Sequence, residues 1–314
     1  MLGILWRMEL IRKKPLRGTV ILLIATIAWG FSYVMQSKAM DYLEPLTYNG
    51  IRILVGGIAL IPIVFLFRKL DPAYREMDPE STQKMNRITF CGGIVCGICL
   101  CGAASLQQYG ISMSSAGKSG FITALYIVMV PIFGILFRRR VTWVAALGVL
   151  LAAIGFYFLS VKERFEIEAG DFLLLAGAFL FSFQILFIDH FLEKGAEPVM
   201  MCCVEFLTAG IILIPVMFLT EHPVWQNIWD AKETILYAGL VSGAFGYCLQ
   251  MIGQRDLEPT AASLLMSLES VFAALFGWLV LNEHLSLKEL LGCALVFAAV
   301  ILAQIPVKEK GTNS

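Results

Sequence analysis

Ten stretches of apolar residues, each about as long as a bilayer is thick, limit what this chain can fold into more than any other feature of its sequence. They fall at 18–37, 46–67, 89–111, 116–137, 141–161, 171–191, 198–219, 234–254, 259–281 and 286–306. A hydrocarbon core about 30 Å across takes on the order of 20 helical residues. Only helices and closed barrels satisfy their own backbone there, and continuous runs without alternation select helices. The expected fold is therefore all-α and integral to a membrane, with ten transmembrane helices. Short polar punctuation, Ser112 to Ser115 and Glu258-Pro259, is all that separates the third span from the fourth and the eighth from the ninth.

Composition agrees. The chain is 58% hydrophobic and 15% charged, with a mean hydropathy of +0.77, against about half apolar and a quarter charged in soluble domains. Its formal net charge is zero, which gives no reason to expect a nucleic-acid partner. Cys91, Cys96, Cys99, Cys101, Cys202, Cys203, Cys248 and Cys293 all lie in apolar stretches without the Cys/His spacing of a metal site. They read as small packing residues. The three histidines sit near span ends and form no triad, so no catalytic residue, metal or cofactor is expected.

Lysine and arginine are retained on the cytoplasmic side of short loops. With the N-terminus inside, the inner segments hold Arg7, Arg12, Lys13, Lys14, Arg17, Arg68, Lys69, Arg75, Lys84, Arg87, Arg138, Arg139, Arg140, Lys194, Arg255, Lys308 and Lys310. Only Lys38, Lys118, Lys162, Arg164, Lys232 and Lys288 fall outside, and Arg52 alone is mid-span. Both termini are thus expected in the cytoplasm, with the protein multi-pass in the cell membrane. Residues 1–17 form a basic cytoplasmic N-terminus and 307–314 a cytoplasmic tail. The basic segment ahead of residues 19–30 imitates a signal peptide, but no A-x-A site follows and the apolar stretch is too long, so it reads as a retained first span.

The two halves of the chain resemble each other. Residues 57–65, Gly-Ile-Ala-Leu-Ile-Pro-Ile-Val-Phe, match 210–218, Gly-Ile-Ile-Leu-Ile-Pro-Val-Met-Phe, at an offset of 153, which also relates Glu44-Pro45 to Glu197-Pro198. After the loop between the second and third spans the offset becomes 144, pairing Gly148 with Gly292. Residues 18–161 and 170–306 are then two five-helix repeats. Because five is odd, the second enters the membrane from the opposite side. Such inverted pairs are associated with alternating access to a site near the midplane, at the repeat interface.

The stretch from Ala116 to Tyr126, closing with Pro131, and the stretch from Leu268 to Trp278 with Asn282-Glu283 resemble the two signature segments of EamA-type members of the drug/metabolite transporter superfamily. Trp29-Gly30 and Arg52 also resemble that pattern. The resemblance covers essentially the whole chain. It implies a carrier whose central cavity is lined by the first four helices and by the sixth to ninth, with the fifth and tenth peripheral. Substrates of that superfamily include amino acids, other metabolites and drugs. One departure is that Arg138-Arg139-Arg140 stands where the second half has Asn282-Glu283-His284.

Ionisable groups within a span cost about 2.5 to 3.5 kcal/mol each on insertion scales, so they face a bundle interior or a wet cavity. Arg52, Lys118, Glu205 and Glu269 are such groups. Arg52 and Glu205 are related by the offset of 153, and read either as a gate or substrate-binding pair or as an ion pair holding helices together. Glu269 shares a helical face with Ser270, Ala273 and Gly277, a strip of small residues that either allows close helix packing or opens room for a ligand, the second reading making Glu269 a substrate or proton site. Lys118 lies near a span end and could merely snorkel. Polar faces recur at helical spacing: Trp29, Ser32, Tyr33 and Gln36; Gly97, Cys101, Ala104 and Gln108; Gly243, Gly246, Gln250 and Gln254. Gln184 adds a sixth-helix amide and Tyr126 a fourth-helix hydroxyl. Interhelical hydrogen bonds would explain any one of these, whereas the set points to a polar, aromatic substrate cavity. Pro62, Pro131 and Pro215 can each kink a span.

The function expected is a secondary transporter of small metabolites, an exporter of amino acids or related compounds by resemblance. There is no GxxxxGK[ST] sequence and no soluble domain, which argues against ATP-driven pumping. An intramembrane lipid-modifying enzyme is the alternative, with Asp189-His190 as its only candidate pair; short loops, the longest near 68–88, argue against a scaffold. The partners expected are a small solute and membrane lipid, with a homodimer allowed.

Overall fold

A computed structural model describes residues 14–70, 76–135, 142–160, 168–281 and 286–303. Arg7, Arg12, Lys13, Arg75, Arg138 to Arg140, Lys162, Arg164, Asn282 to His284, Lys308 and Lys310, and with them most of the basic N-terminus and all of the tail, lie outside the described residues. Every regular element among the described residues is helical.

The helices are α1 (Pro15–Ala39), α2 (Pro45–Leu70), α3 (Pro79–Ser112), α4 (Ala116–Gly134), α5 (Trp143–Ser160), α6 (Ala169–Glu193), α7 (Pro198–Thr220), α8 (Lys232–Gln254), α9 (Pro259–Leu281) and α10 (Leu287–Ala303). A short helix, Trp225–Asp230, precedes α8. Eight of the ten are long and apolar enough to cross a membrane. The apolar parts of α5 and α10 are shorter, at Ala146–Phe158 and Leu290–Leu302.

Helix starts follow local chemistry. Proline opens α1, α2, α3, α7 and α9, where its missing N–H costs nothing. Asp78 accepts from the Ser81 amide at 2.9 Å, so α3 begins ten residues ahead of its apolar run and turns most of the expected 68–88 loop into helix. Glu197 accepts from the amides of Val199 and Met200 at the start of α7. Its repeat equivalent, Glu44, does not serve α2 in that way. Glu221, at the end of α7, instead accepts from the amides of Leu46 and Thr47 at 2.9 and 2.6 Å and from the Thr47 hydroxyl at 2.7 Å. The turn from α6 to α7 needs a positive φ and has it at Gly195, at 93°.

Packing pairs the halves. α2 lies on α7 and α5 on α10; α3 runs along α6 and α1 along α8; α1 meets α9 and α6 meets α4. Exchanging first-half for second-half helices leaves this set of pairings unchanged. Small residues allow the close contacts: a Cβ at Gly56 of α2 would stand 2.7 Å from the Gly239 carbonyl of α8, and one at Gly155 of α5 would stand 2.8 Å from the Gly292 carbonyl of α10. Large apolar side chains such as Phe65, Leu219, Trp278 and Ile301 point outward, while Asn49, Arg52, Gln184 and Glu205 are buried. That is the reverse of a water-soluble protein and the pattern expected where the solvent is lipid.

Two helices are interrupted at positions related by the offset of 144. α4 breaks between Thr123 and Tyr126, and α9 breaks at Ser267. Both breaks tighten into i→i+3 bonds, Leu125 to Ile122 at 3.2 Å and Ser270 to Ser267 at 3.1 Å. In α8 the segment Tyr237–Tyr247 is π-helical. α2 and α7 run through Pro62 and Pro215 without a break.

Candidate functional site

The interrupted helices border a cavity between the halves. Its volume is about 50 Å³, room for roughly three to five waters. α1 contributes Trp29, Ser32, Tyr33 and Gln36, all on the single face expected from their spacing. Arg52 enters from α2, Gln107 from α3, and Thr123 and Tyr126 from either side of the break in α4. The second half adds Phe181, Gln184 and Ile185 of α6, Ser242, Tyr247 and Gln250 of α8, and Met266 and Glu269 around the break in α9.

Two opposite charges reach this space from different halves. The Arg52 Nε–H donates to Asn49 at 2.6 Å, and Asn49 in turn donates to the Ala104 carbonyl at 2.7 Å. The guanidinium also stands 5.6 Å from the Tyr48 ring centre. Held by these contacts, Arg52 lines the cavity. From the other half, Glu269 follows the α9 break and has the Tyr126 hydroxyl as a hydrogen-bonding neighbour.

The walls between the charges are aromatic and amide. Gln107 Nε2 donates to the Tyr33 hydroxyl at 3.0 Å and lies 3.3 Å from Thr123 Oγ1. Trp29 donates its indole N–H to the Ser242 carbonyl at 3.0 Å and meets Tyr247 edge-on, ring centres 5.3 Å apart. Gln36 donates to Ser32 Oγ at 3.2 Å. The amide oxygens of Gln36 and Gln250 are buried and have no partner in the protein, leaving acceptors for a guest.

Of the residues singled out from the sequence, Trp29, Tyr33, Gln36, Arg52, Tyr126, Gln184, Gln250 and Glu269 line this cavity. Gln108, Lys118, Glu205 and Gln254 are not in the lining. Gln108 turns its amide toward the Gln36 carbonyl of α1 and Met40, while Gly97 on the same face packs on α7 at Glu205 and Thr208. Gln107, one residue earlier, takes the cavity position. Lys118 pairs with Asp171 of α6 at 2.9 Å and lies 3.6 Å from Glu168. Gln254 donates to the Ile185 carbonyl at 3.3 Å. Glu205 lies behind Gln184 and is hydrogen-bonded to it; no ion pair joins it to Arg52.

Spacing also missed Thr123 and Tyr247. The signal for Thr123 was its place in the helix-four signature, one residue from a break that an apolar run does not announce. Tyr247 ends the π-helical segment, whose i→i+5 bonding widens the turn, so regular spacing carried across it loses register. Asp189 is buried near the end of α6 and the His190 ring packs on Phe191; neither lines the cavity. Among the described residues no group of three His, Cys, Asp or Glu could hold a metal ion.

The model of the EamA-like transporter family matches residues 16–161 and again 168–304. An uncharacterized transporter of Archaeoglobus fulgidus is 26% identical, over 94% of this chain and 88% of its own. The S-adenosylmethionine/S-adenosylhomocysteine transporter of Chlamydia muridarum is 24% identical, over 90% of this chain and 92% of its own. A solved crystal structure superposes with a TM-score of 0.71 at 15% identity, over 91% of this chain and 96% of that one, which is a likeness of fold. Two family matches in tandem, on helices that pair across the halves around one polar cavity, place this protein in the EamA-like transporter family.

Proposed function

We propose that this protein is a secondary carrier of small zwitterionic metabolites, amino acids or related compounds, exporting them across the cell membrane with both termini in the cytoplasm. The observation that carries the reading is the cavity itself. Arg52 from one half and Glu269 from the other offer a cation and an anion to one guest, with Trp29, Tyr33, Tyr126 and Tyr247 as walls. A carboxylate suits the guanidinium fork and an ammonium suits the carboxylate. The relative named as a transporter of S-adenosylmethionine, a compound with an amino-acid end, supports the same substrate class.

Alternating access between two inverted five-helix repeats, spanning ten times in all, is the mechanism we infer. Its support is the exchange symmetry of the helix pairings and the paired breaks in α4 and α9 beside the cavity, since discontinuous helices at equivalent places in two repeats are where such carriers bind their solutes. A volume of about 50 Å³ holds only a few waters, and parting of the halves on one side would widen it for a solute. Flux of a labelled amino-acid panel in liposomes containing the purified chain tests this. We expect saturable flux that Arg52→Gln and Glu269→Gln each reduce by at least tenfold with unchanged folding. Undiminished flux in both variants would remove the charged pair from the mechanism.

A further inference from the structure

Glu205 lies two turns into α7 with its side chain fully buried. Gln184 of α6 bonds one of its carboxyl oxygens, and the other oxygen has no partner. The titratable groups facing it are Cys96 and Cys99 of α3, Cys202 of its own helix and Tyr247 of α8. None is a cation. Arg52 of α2 is committed to Asn49 and the cavity. An ionised carboxylate here is a buried charge with one hydrogen bond and no counter-ion, the costliest state such a group can take.

Gln184 gives this acid a route to the site, because the same amide also lines the cavity. A glutamine has a donor end and an acceptor end of nearly equal shape. Toward an ionised Glu205 it must present its NH₂, which leaves its carbonyl oxygen for the cavity. When a proton binds, the new O–H needs an acceptor, and the amide satisfies it by reversing, carbonyl toward Glu205 and NH₂ toward the cavity.

We infer that Glu205 is a proton-binding site set behind the cavity wall, read into the cavity by reversal of the Gln184 amide; the inference rests on the carrier reading above. One proton forms one O–H bond on Glu205 and leaves by breaking it, and nothing is oxidised or reduced. Protonation changes one point of the wall from acceptor to donor without moving a helix. A solute group with acceptor oxygens then binds together with the proton, and by linkage the bound solute retains that proton.

Infrared difference spectra of the full chain in phosphatidylcholine bilayers, between acid and alkaline buffer, test the site. The wild type is expected to lose a protonated-carboxyl band as pH rises. Glu205→Gln lacks that band, Glu269→Gln keeps it, and Gln184→Leu keeps it at the higher frequency of an acid without a hydrogen-bond partner. Identical spectra for wild type and Glu205→Gln would overturn the proton site, and a band unmoved in Gln184→Leu would overturn the relay. If Glu205→Gln fails to fold, Glu205→Asp serves, with a displaced band expected and an undisplaced one counting against the assignment. These readouts need no transport, so absence of flux refutes the carrier reading without touching this one. Where flux of an amino-acid mixture is measured, an imposed pH gradient should accelerate the wild type several-fold and leave Glu205→Gln unaffected, with exchange at equal pH retained in both. Equal acceleration in the variant overturns the coupling.

Discussion

Trp29 of α1 donates its indole N–H to the main-chain carbonyl of Ser242 at 3.0 Å, joining the first half of the chain to the π-helical segment of the second. The contact is close because Gly246 has no side chain: a Cβ there would stand 2.7 Å from the indole nitrogen. Trp29→Phe keeps an aromatic ring beside Tyr247 and loses the bond. We expect about 1 kcal/mol of destabilisation, read as a lower unfolding temperature in detergent, and a larger loss of flux than of stability because the ring sits in the cavity wall.

Gly56 and Gly239 are a second junction of α2 with α8. A Cβ at Gly56 meets the Gly239 carbonyl at 2.7 Å and Phe206 at 2.9 Å, and a Cβ at Gly239 meets the Arg52 carbonyl at 2.8 Å. Gly56→Val should therefore push α2 away from α8 and displace Arg52 one turn earlier. The expected cost is about 1 to 3 kcal/mol, visible as a lower unfolding temperature; an unchanged temperature would show that the helices can separate freely.

Ion pairs tie helices at both ends of the bundle. Lys118 of α4 pairs with Asp171 of α6 at 2.9 Å, and at the opposite end Arg17 of α1 pairs with Asp256 in the α8–α9 turn at 2.7 Å. Asp171 and Arg17 stand within one residue of equivalent positions at the offset of 153, with opposite signs. Both are partly open to solvent, so a double-mutant cycle on Lys118 and Asp171 should give a coupling of only about 0.5 kcal/mol. The charge-swapped double variant is expected to recover most of what Lys118→Glu loses.

Backbone and side-chain hydrogen bonds from Ser81 hold the Asp78 carboxyl below its ordinary value. A depressed carboxylate contributes stability that is present above the unfolded value, about 3.9 for aspartate, and lost as pH falls through the folded one. The hydrogen-exchange protection factor at the first turn of α3, the intrinsic exchange rate over the observed one at the same pH, should therefore be high at neutral pH and fall in acid. In Asp78→Ala protection should be low throughout, and an acid-insensitive wild-type protection factor would show that the cap contributes nothing.

Much of the fold was legible because a bilayer imposes length and polarity on each helix separately. The runs behind α1, α2, α6 and α7 lie close to their helices, and the matched prolines at 62 and 215 pointed to the repeat. Less was legible where a helix departs from regular geometry. No run reveals that α4 and α9 break beside the cavity or that Tyr237–Tyr247 takes π bonding, because those departures are set by the helices packed against them.

The sequence by itself determined that this chain lives in lipid, that its halves match, and that Arg52, Glu205 and Glu269 are charges needing partners. It did so because hydrophobicity and charge cost are properties of single residues and their near neighbours. Only the tertiary structure decided that Arg52 and Glu269 share a cavity, that Gln107 rather than Gln108 faces it, that Lys118 is held by Asp171, and that Glu205 lies one amide behind the wall. Those choices depend on the rotation of each helix about its axis, which interlocking side chains from distant parts of the chain settle together.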